Sequence, residues 1–381
     1  MEVLRADPDA DTVLALGYLA ELEAMACSPG ADRLTTEALS LGQALDADAG
    51  QLSDLFISRG IYIASTGRRP EAAAYYRQAA WLAEQNGDNR QLGQALLNLS
   101  DALTATDPSA GAKAARTAAE HLRQVGNRME LAVAVNNLAQ ALLMLGDWDT
   151  AHEELIQAAD TDGLTDIEFL ACLQGWLAGL RGDAASAETI LARLPDLRAS
   201  EDPQDKAGVS LAEAFAAAAR HQPRSALRCA RQTLACAEAF GISHECPRWA
   251  WPLAARSAHD LGDRATTGEL LAMLDSYQSG HLAPMLRTER NLVRVRLAAS
   301  DSDPATAASF ADAISGLREH STPYHLAHGL LDQAQSLTQL GDTEAAEAAI
   351  TEAHDIAVRL RCQPLLDRAT GLTPARPPVQ A

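Results

Sequence analysis

The chain has 381 residues, 47% of them hydrophobic but only 4% aromatic, and a formal net charge of −20 from 51 acidic against 31 basic side chains. So much acidity repels phosphate backbones and argues against direct nucleic-acid binding, and the sequence contains no run of about 18 apolar residues that could span a bilayer. The apolar content is mostly Ala and Leu, which suits closely packed helices rather than a β-sandwich core.

The first residues, MEVLRADPDADTV, lack the basic start and apolar stretch of a secretory leader. Cys27, Cys172, Cys229, Cys236, Cys246 and Cys362 form no CxxC pair. A cytoplasmic protein with reduced, partly buried thiols is therefore expected. Residues 1–11 read as a lead-in. From residue 12 one pattern recurs, a small residue in one helical stretch and another 12 positions later in the next. The pairs are Gly60/Ala72, Ser100/Ala112, Ala139/Ala151, Gly175/Ala187, Ala214/Ala226, Ala255/Thr267, Val295/Ala307 and Ala334/Ala346, preceded by a weaker Leu22/Leu34. Units begin 36 to 41 residues apart. Apolar residues three places after the first small position and seven after the second put one face of each helix against its partner.

Breaker residues punctuate the pattern. Gly-Asp at residues 146–147, 182–183, 262–263 and 341–342, and Pro at 70, 108, 223 and 304, mark the turn within each pair. Glycine suits the left-handed end of one helix, Asp caps the next, and Pro fits its first turn. Gly87, Gly126, Gly163, Gly241 and Gly280 are expected to end second helices, and residues 195–206 and 276–284 to be loops. The expectation is an all-α chain, a right-handed α-solenoid of about nine helical hairpins over residues 12–372. It ends in a short C-terminal cap near residues 365–372 and a disordered tail at 373–381.

Phe56, Gly60, Ile63, Ala72, Tyr76 and Ala79 fall on the signature positions of the tetratricopeptide repeat, and Ser100, Leu103, Ala112 and Ala119 repeat much of that signature. The chain thus resembles that family. Its period is near 39 instead of the usual 34 residues, which implies longer helices. Glu84, Gln124 and Glu238 stand where the family places a unit-closing proline. More narrowly, residues 97–103 (LNLSDAL), 137–142 (NLAQAL), 145–151 (LGDWDTA), 321–327 (STPYHLA) and 360–369 look like C-terminal arrays of bacterial signal-transduction ATPases, which are linked to LuxR-type regulators or class III cyclases. That resemblance implies a sensor or scaffold arm with an ATPase domain as partner, in cis or in trans. The sequence has no GxxxxGK[ST], GxSxG or HExxH, so no nucleotide cradle, cofactor or catalytic residue is expected.

The candidate partner groove is the concave face lined by first helices: Phe169, Trp176, Phe215, Trp249, Arg256, Arg296 and Gln335, with Asn136 and Gln140 before them. Aromatic and Arg residues are favoured binding anchors, although the same rings could fill gaps between hairpins. Arg287, Arg290 and Arg294 share one helix face as a candidate patch for an acidic partner. His320, His325 and His328, and the set Cys229, Cys236, His244 and Cys246, carry side chains of zinc-ligand type. They lack the tight spacing of structural sites, so no metal is expected. Two readings stand: the arm of a regulatory ATPase system, or a free-standing receptor for a peptide or small effector. Leu22, larger than its counterparts, leaves self-association through the first hairpin open.

Overall fold

The computed structural model describes residues 8–26, 28, 30–298 and 304–372. Among these the chain is helical throughout, with no strand. The helices are α1 (Ala10–Met25), α2 (Ala31–Ala44), α3 (Ala49–Ser65), α4 (Arg69–Asn86), α5 (Asn89–Thr104), α6 (Pro108–Val125), α7 (Arg128–Leu145), α8 (Trp148–Asp160), α9 (Glu168–Arg181) and α10 (Ala184–Leu191). They continue with the short α11 (Pro195–Ala199), then α12 (Pro203–Ala219), α13 (Pro223–Ala235), α14 (Ala237–Phe240), α15 (Glu245–Asp260), α16 (Arg264–Asp275), α17 (Pro284–Ala298), α18 (Pro304–His320), α19 (Pro323–Leu340), α20 (Thr343–Leu360) and α21 (Gln363–Leu372). The chain divides into two compact units. The first comprises residues 1–142 and 153–167, the second residues 143–152 and 168–381.

Turn chemistry follows the sequence. Gly341 ends α19 at φ 80°, a left-handed conformation in which a side chain would be strained. The next residue, Asp342, accepts a hydrogen bond from the backbone of Ala345 at 3.2 Å and so caps α20. Asp107, Asp183 and Asp263 cap α6, α10 and α16 in the same way. Asp303, and the tail 373–381 expected to be disordered, lie outside the described residues.

Two expected loops carry structure. In 195–206, Pro195 opens α11, whose first turn is capped from outside when Glu168 of α9 accepts from the Leu197 N–H at 2.7 Å. Pro203 then opens α12 behind Asp202, which caps the Gln204 N–H at 2.7 Å. In 276–284, α16 stops at Asp275 and Gly280 sits in a 3-10 turn, Ser279–His281, not at a helix end. Ser243 pins this turn by donating to the His281 carbonyl at 2.6 Å and accepting from the Ala283 N–H at 2.8 Å.

The 12-residue pairs lie in the core, with two departures. Val295 and Ala307 are only half-buried; α17 and α18 turn Leu292, Val293 and Phe310 inward instead. Leu22 is 66% exposed, and with Leu14 and Tyr18 it forms an exposed apolar row on α1. The hairpin α1–α2 packs instead through Val13, Leu16 and Ala20 against Leu34, Ala38 and Leu55. In the first unit Gly60 lies against Tyr76, where an added Cβ would come within 2.4 Å of the ring.

In the second unit the chain returns on itself. The α19–α21 segment meets residues near the start of α8 and the end of α9. Trp148 packs on Tyr324 at 5.7 Å, Arg361 pairs with Asp149 at 2.9 Å, and the Cys362 thiol donates to the Leu180 carbonyl at 3.1 Å.

Two glycine substitutions should move stability in opposite directions. At Gly179 a Cβ would lie 2.9 Å from the backbone of Phe215 and Ala216, atoms that cannot swing aside. Gly179→Ala should cost about 1–3 kcal/mol from overpacking, more than the roughly 1 kcal/mol of helix propensity it gains. At Gly268 the same methyl meets open space, so Gly268→Ala should stabilise by about 0.5–1 kcal/mol. Denaturant midpoints of the two variants would check the pair; a destabilised Gly268→Ala would refute the packing account.

Candidate functional site

Interior aromatics of the second unit converge on Tyr324, the second residue of α19. Its ring lies 6.4 Å from Phe215, 6.1 Å from Trp249 and 4.7 Å from His328. Trp176 stacks on Phe215 at 6.0 Å and meets Trp249 edge-on at 5.3 Å. Arg256, on α15, lies over the Tyr324 ring at 5.6 Å and donates to its hydroxyl at 3.5 Å. Burial pushes the Tyr324 hydroxyl up to about 12, with Arg256 pulling the other way.

Beside the rings lies a buried charge cluster. Asp332 of α19 accepts from Arg296 of α17 on one oxygen and from Arg368 of α21 on the other. Burial opposes ionisation of Asp332, but Arg296 and Arg368 outweigh it and hold the carboxyl below its usual range. Glu289, 1% exposed, accepts from Ser321 at 3.3 Å. Burial raises it to about 7 despite Arg256 and Arg296. His325 is engaged by the Thr322 hydroxyl at 2.7 Å, and His328 Nδ1 lies 3.2 Å from an Arg368 nitrogen. A guanidinium only donates, so His328 Nδ1 accepts and the ring proton sits on Nε2. Burial first, then Arg256, depresses both histidines well below 6.5, so both are neutral.

The structure therefore brings Trp176, Phe215, Trp249, Arg256 and Arg296 of the expected groove together, but as an interior. Each is at most 9% exposed. Phe169 is half-buried and Gln335 is exposed, and neither joins the cluster. In the arginine patch, Arg290 and Arg294 both pair with Asp275, at 3.1 and 2.6 Å, while Arg287 is exposed. Asp332 and Arg368 are the functional-looking residues the sequence reading missed. Their signal was present: Arg296, Asp332 and Arg368 are spaced 36 and 36 residues apart, close to one repeat per step.

A second constellation lies on the first helices of the first unit. Glu21 (α1), Asp54 (α3) and Glu130 (α7) are half-buried, and Arg90 (α5) is exposed. Burial raises all three carboxyls, and Arg90 is the one cation acting against all of them. Arg90 reaches Asp54 only at 3.9 Å. Gln91 donates to the Gly50 carbonyl at 3.0 Å, which orients its amide, and its Oε1 is buried without a partner among the described residues. The same holds for Glu130 Oε2.

Of the metal-ligand sets, His244, Glu245 and Cys246 place three donor atoms within 4.8 Å of one another, without Cys229 or Cys236. Three ligands fall short of a closed structural zinc site, and burial drives the Cys246 thiol well up, away from the thiolate. A cavity of ≈ 30 Å³ beside Arg296, lined also by His259, Asp263 and Thr267, has room for about one water. Among the described residues no helix is long and apolar enough to cross a membrane.

Glu289 gives the second unit a pH signature. Its folded pKa, about 7, lies above the 4.5 of an ordinary Glu, so its stabilising contribution is full below pH 4.5 and is lost as pH rises through 7. The histidines act oppositely, because their depressed values remove stability as pH falls below about 6.5. Glu289→Gln isolates the first effect. Its stability relative to the native chain should rise by roughly 3 kcal/mol between pH 4.5 and 8, measured by denaturant unfolding at each pH; a flat difference would show Glu289 to titrate normally.

No protein-family model matches the chain, and no curated protein matches it. Among solved structures it is similar to a Rap protein complexed with competence and sporulation factor, with a TM-score of 0.50 and 12% identity over 94% of this chain and 100% of that one. The chain shares that helical-repeat fold.

Proposed function

We propose that the chain is a non-catalytic binding array whose first unit holds a basic segment of a peptide or protein against its first helices. The observation that carries this is the line Glu21, Asp54, Arg90 and Glu130. These residues are 33, 36 and 40 positions apart (54 − 21, 90 − 54, 130 − 90), about one repeat per step, and set three half-buried carboxylates around one cation. Carboxylates that have lost water and lack full compensation favour an incoming cation. Gln91 Oε1 and Glu130 Oε2, two acceptors without partners, ask for donors of the same kind. Arg and Lys side chains supply both. The solved Rap protein that shares the fold is itself complexed with another molecule, competence and sporulation factor, which supports a binding role.

Of the partners the sequence resemblance implies, we carry forward an ATPase domain presenting such a segment. The expected groove in the second unit supports this function less. Trp249 and Arg256 are 1% and 9% exposed, so substituting them reads out stability before it reads out binding.

The test uses labelled ten-residue peptides bearing three arginines, with glutamine-substituted and acidic versions as comparison, followed by fluorescence anisotropy. The arginine peptides should bind best, and the combined Glu21→Gln, Asp54→Asn, Glu130→Gln variant should weaken them at least tenfold. A control with Glu344, Glu347 and Asp355 neutralised, all exposed, removes the same charge elsewhere and should change affinity little. Equal losses in the two variants would reduce the effect to net charge and sink the proposal.

A further inference from the structure

The interior of the second unit has more positive charge than its own acids balance. Arg296 and Arg368 share the single carboxylate of Asp332, and Arg256 lies beside them over the Tyr324 ring. The remaining acid, Glu289, is half-protonated near neutrality. The other titratable groups packed here, His325, His328, Tyr324 and Cys362, add no negative charge, since burial and the neighbouring arginines keep the histidines neutral and burial holds the hydroxyl and thiol protonated.

The hydrogen-bond inventory is unbalanced in the same sense. Arg256 Nε, His328 Nε2 and Trp176 Nε1 are all buried and have no partner among the described residues. The three residues are 9%, 7% and 4% exposed. With the His328 proton on Nε2, each of the three is a donor, and a donor left unpaired in the interior costs about 1–3 kcal/mol. Arg256 and His328 lie against the same Tyr324 ring, at 5.6 and 4.7 Å from its centre. One oxyanion could meet both donors and offset the excess charge. Guanidinium forks match carboxylate and phosphate oxygens better than they match spherical ions.

We propose that the cluster formed by Arg256, His328 and Arg368 between α15, α19 and α21 is a binding site for a small oxyanion group, a carboxylate or a phosphate. Arg368 is its mouth. It lies on the last described helix, its side chain is 29% exposed, and it contacts both His328 and Asp332. Arg256 and His328 form the floor. Asp332 sets the charge by neutralising part of Arg296 and Arg368, so the site holds one or two negative charges rather than more. The site belongs wholly to the second unit and does not depend on the basic-segment site of the first.

The experiment titrates the intact chain with sodium acetate, with N-acetylglycine and with inorganic phosphate, each at constant ionic strength against sodium chloride. The readouts are tryptophan fluorescence, to which Trp176 and Trp249 beside the site contribute, and the thermal midpoint. At least one probe should give a saturable fluorescence change and a raised midpoint. Response to acetate and N-acetylglycine alone would assign a carboxylate, and response to phosphate alone a phosphate. Arg256→Gln and His328→Phe, which keeps an aromatic ring in place, should each weaken the response at least tenfold, while exposed Arg224→Gln should leave it unchanged. Should the buried substitutions fail to fold, Arg368→Gln at the exposed edge makes the same test. The proposal is overturned if no probe gives a saturable change in the native chain, or if the response survives intact in the folded variants.

Discussion

The structure depends on how closely paired helices can approach. A single hairpin cannot bury its apolar face; only a neighbour can cover it, and dispersion between the two falls off within an ångström of contact. Small side chains set that distance. Gly60 admits the Tyr76 ring in the first unit, and Gly93 admits Leu122. In the second, Gly329 receives Leu317 and Ile314, and Gly179 brings α9 against the backbone of α12. The last contact has a consequence for the site. Gly179 lies one turn beyond Trp176, so the approach that it permits also delivers the Trp176 ring onto Phe215, and Trp249 closes the stack edge-on. The aromatic interior of the second unit is thus a product of the same small-residue rule that builds the hairpins.

Local chemistry was legible where one helix or one turn decides the outcome. The constant 12-residue offset located the buried pairs, and Gly-Asp turns located the helix ends, because both act over a few residues. The exceptions have local causes too. Leu22 is too large for the inward position, and α1 turns Val13, Leu16 and Ala20 toward its partner instead. At residues 195–206 polarity suggested a loop, but two prolines opened helices, and a carboxylate from α9 supplied the first of their caps.

The site was less legible because its geometry comes from long-range return. First-helix position groups Trp176, Phe215, Trp249, Arg256 and Arg296, all of them buried in the structure, but position alone does not say what covers them. The covering residue, Tyr324, reaches Trp148, which is 176 positions earlier (324 − 148), and Cys362 reaches the Leu180 carbonyl across 182. No periodic pattern encodes these meetings. The charge ladder of Arg296, Asp332 and Arg368 did follow the repeat, but alternating sign hides it from a search for one residue type at one spacing.

The two units leave opposite debts in their hydrogen bonding. In the first, the unpartnered buried atoms near Arg90, Gln91 Oε1 and Glu130 Oε2, are acceptors and the half-buried charge there is mainly negative. In the second, the unpartnered atoms around Tyr324 are donors and the buried charge is mainly positive. Neither imbalance follows from net charge, since at −20 the whole chain would be expected to avoid only uncompensated acids. Desolvation makes both costly. A buried cation excess inside so acidic a chain also gains nothing from the distant surface carboxylates, whose field is screened by solvent within about 10 Å. Any compensation for this excess has to act at short range, within the cluster itself. The same reasoning with signs reversed applies to the first unit, where Arg90 at 3.9 Å from Asp54 is too far and too exposed to satisfy three carboxyls. Each imbalance by itself disfavours a ligand group of the wrong sign, because such a group would add to a charge excess that is already there.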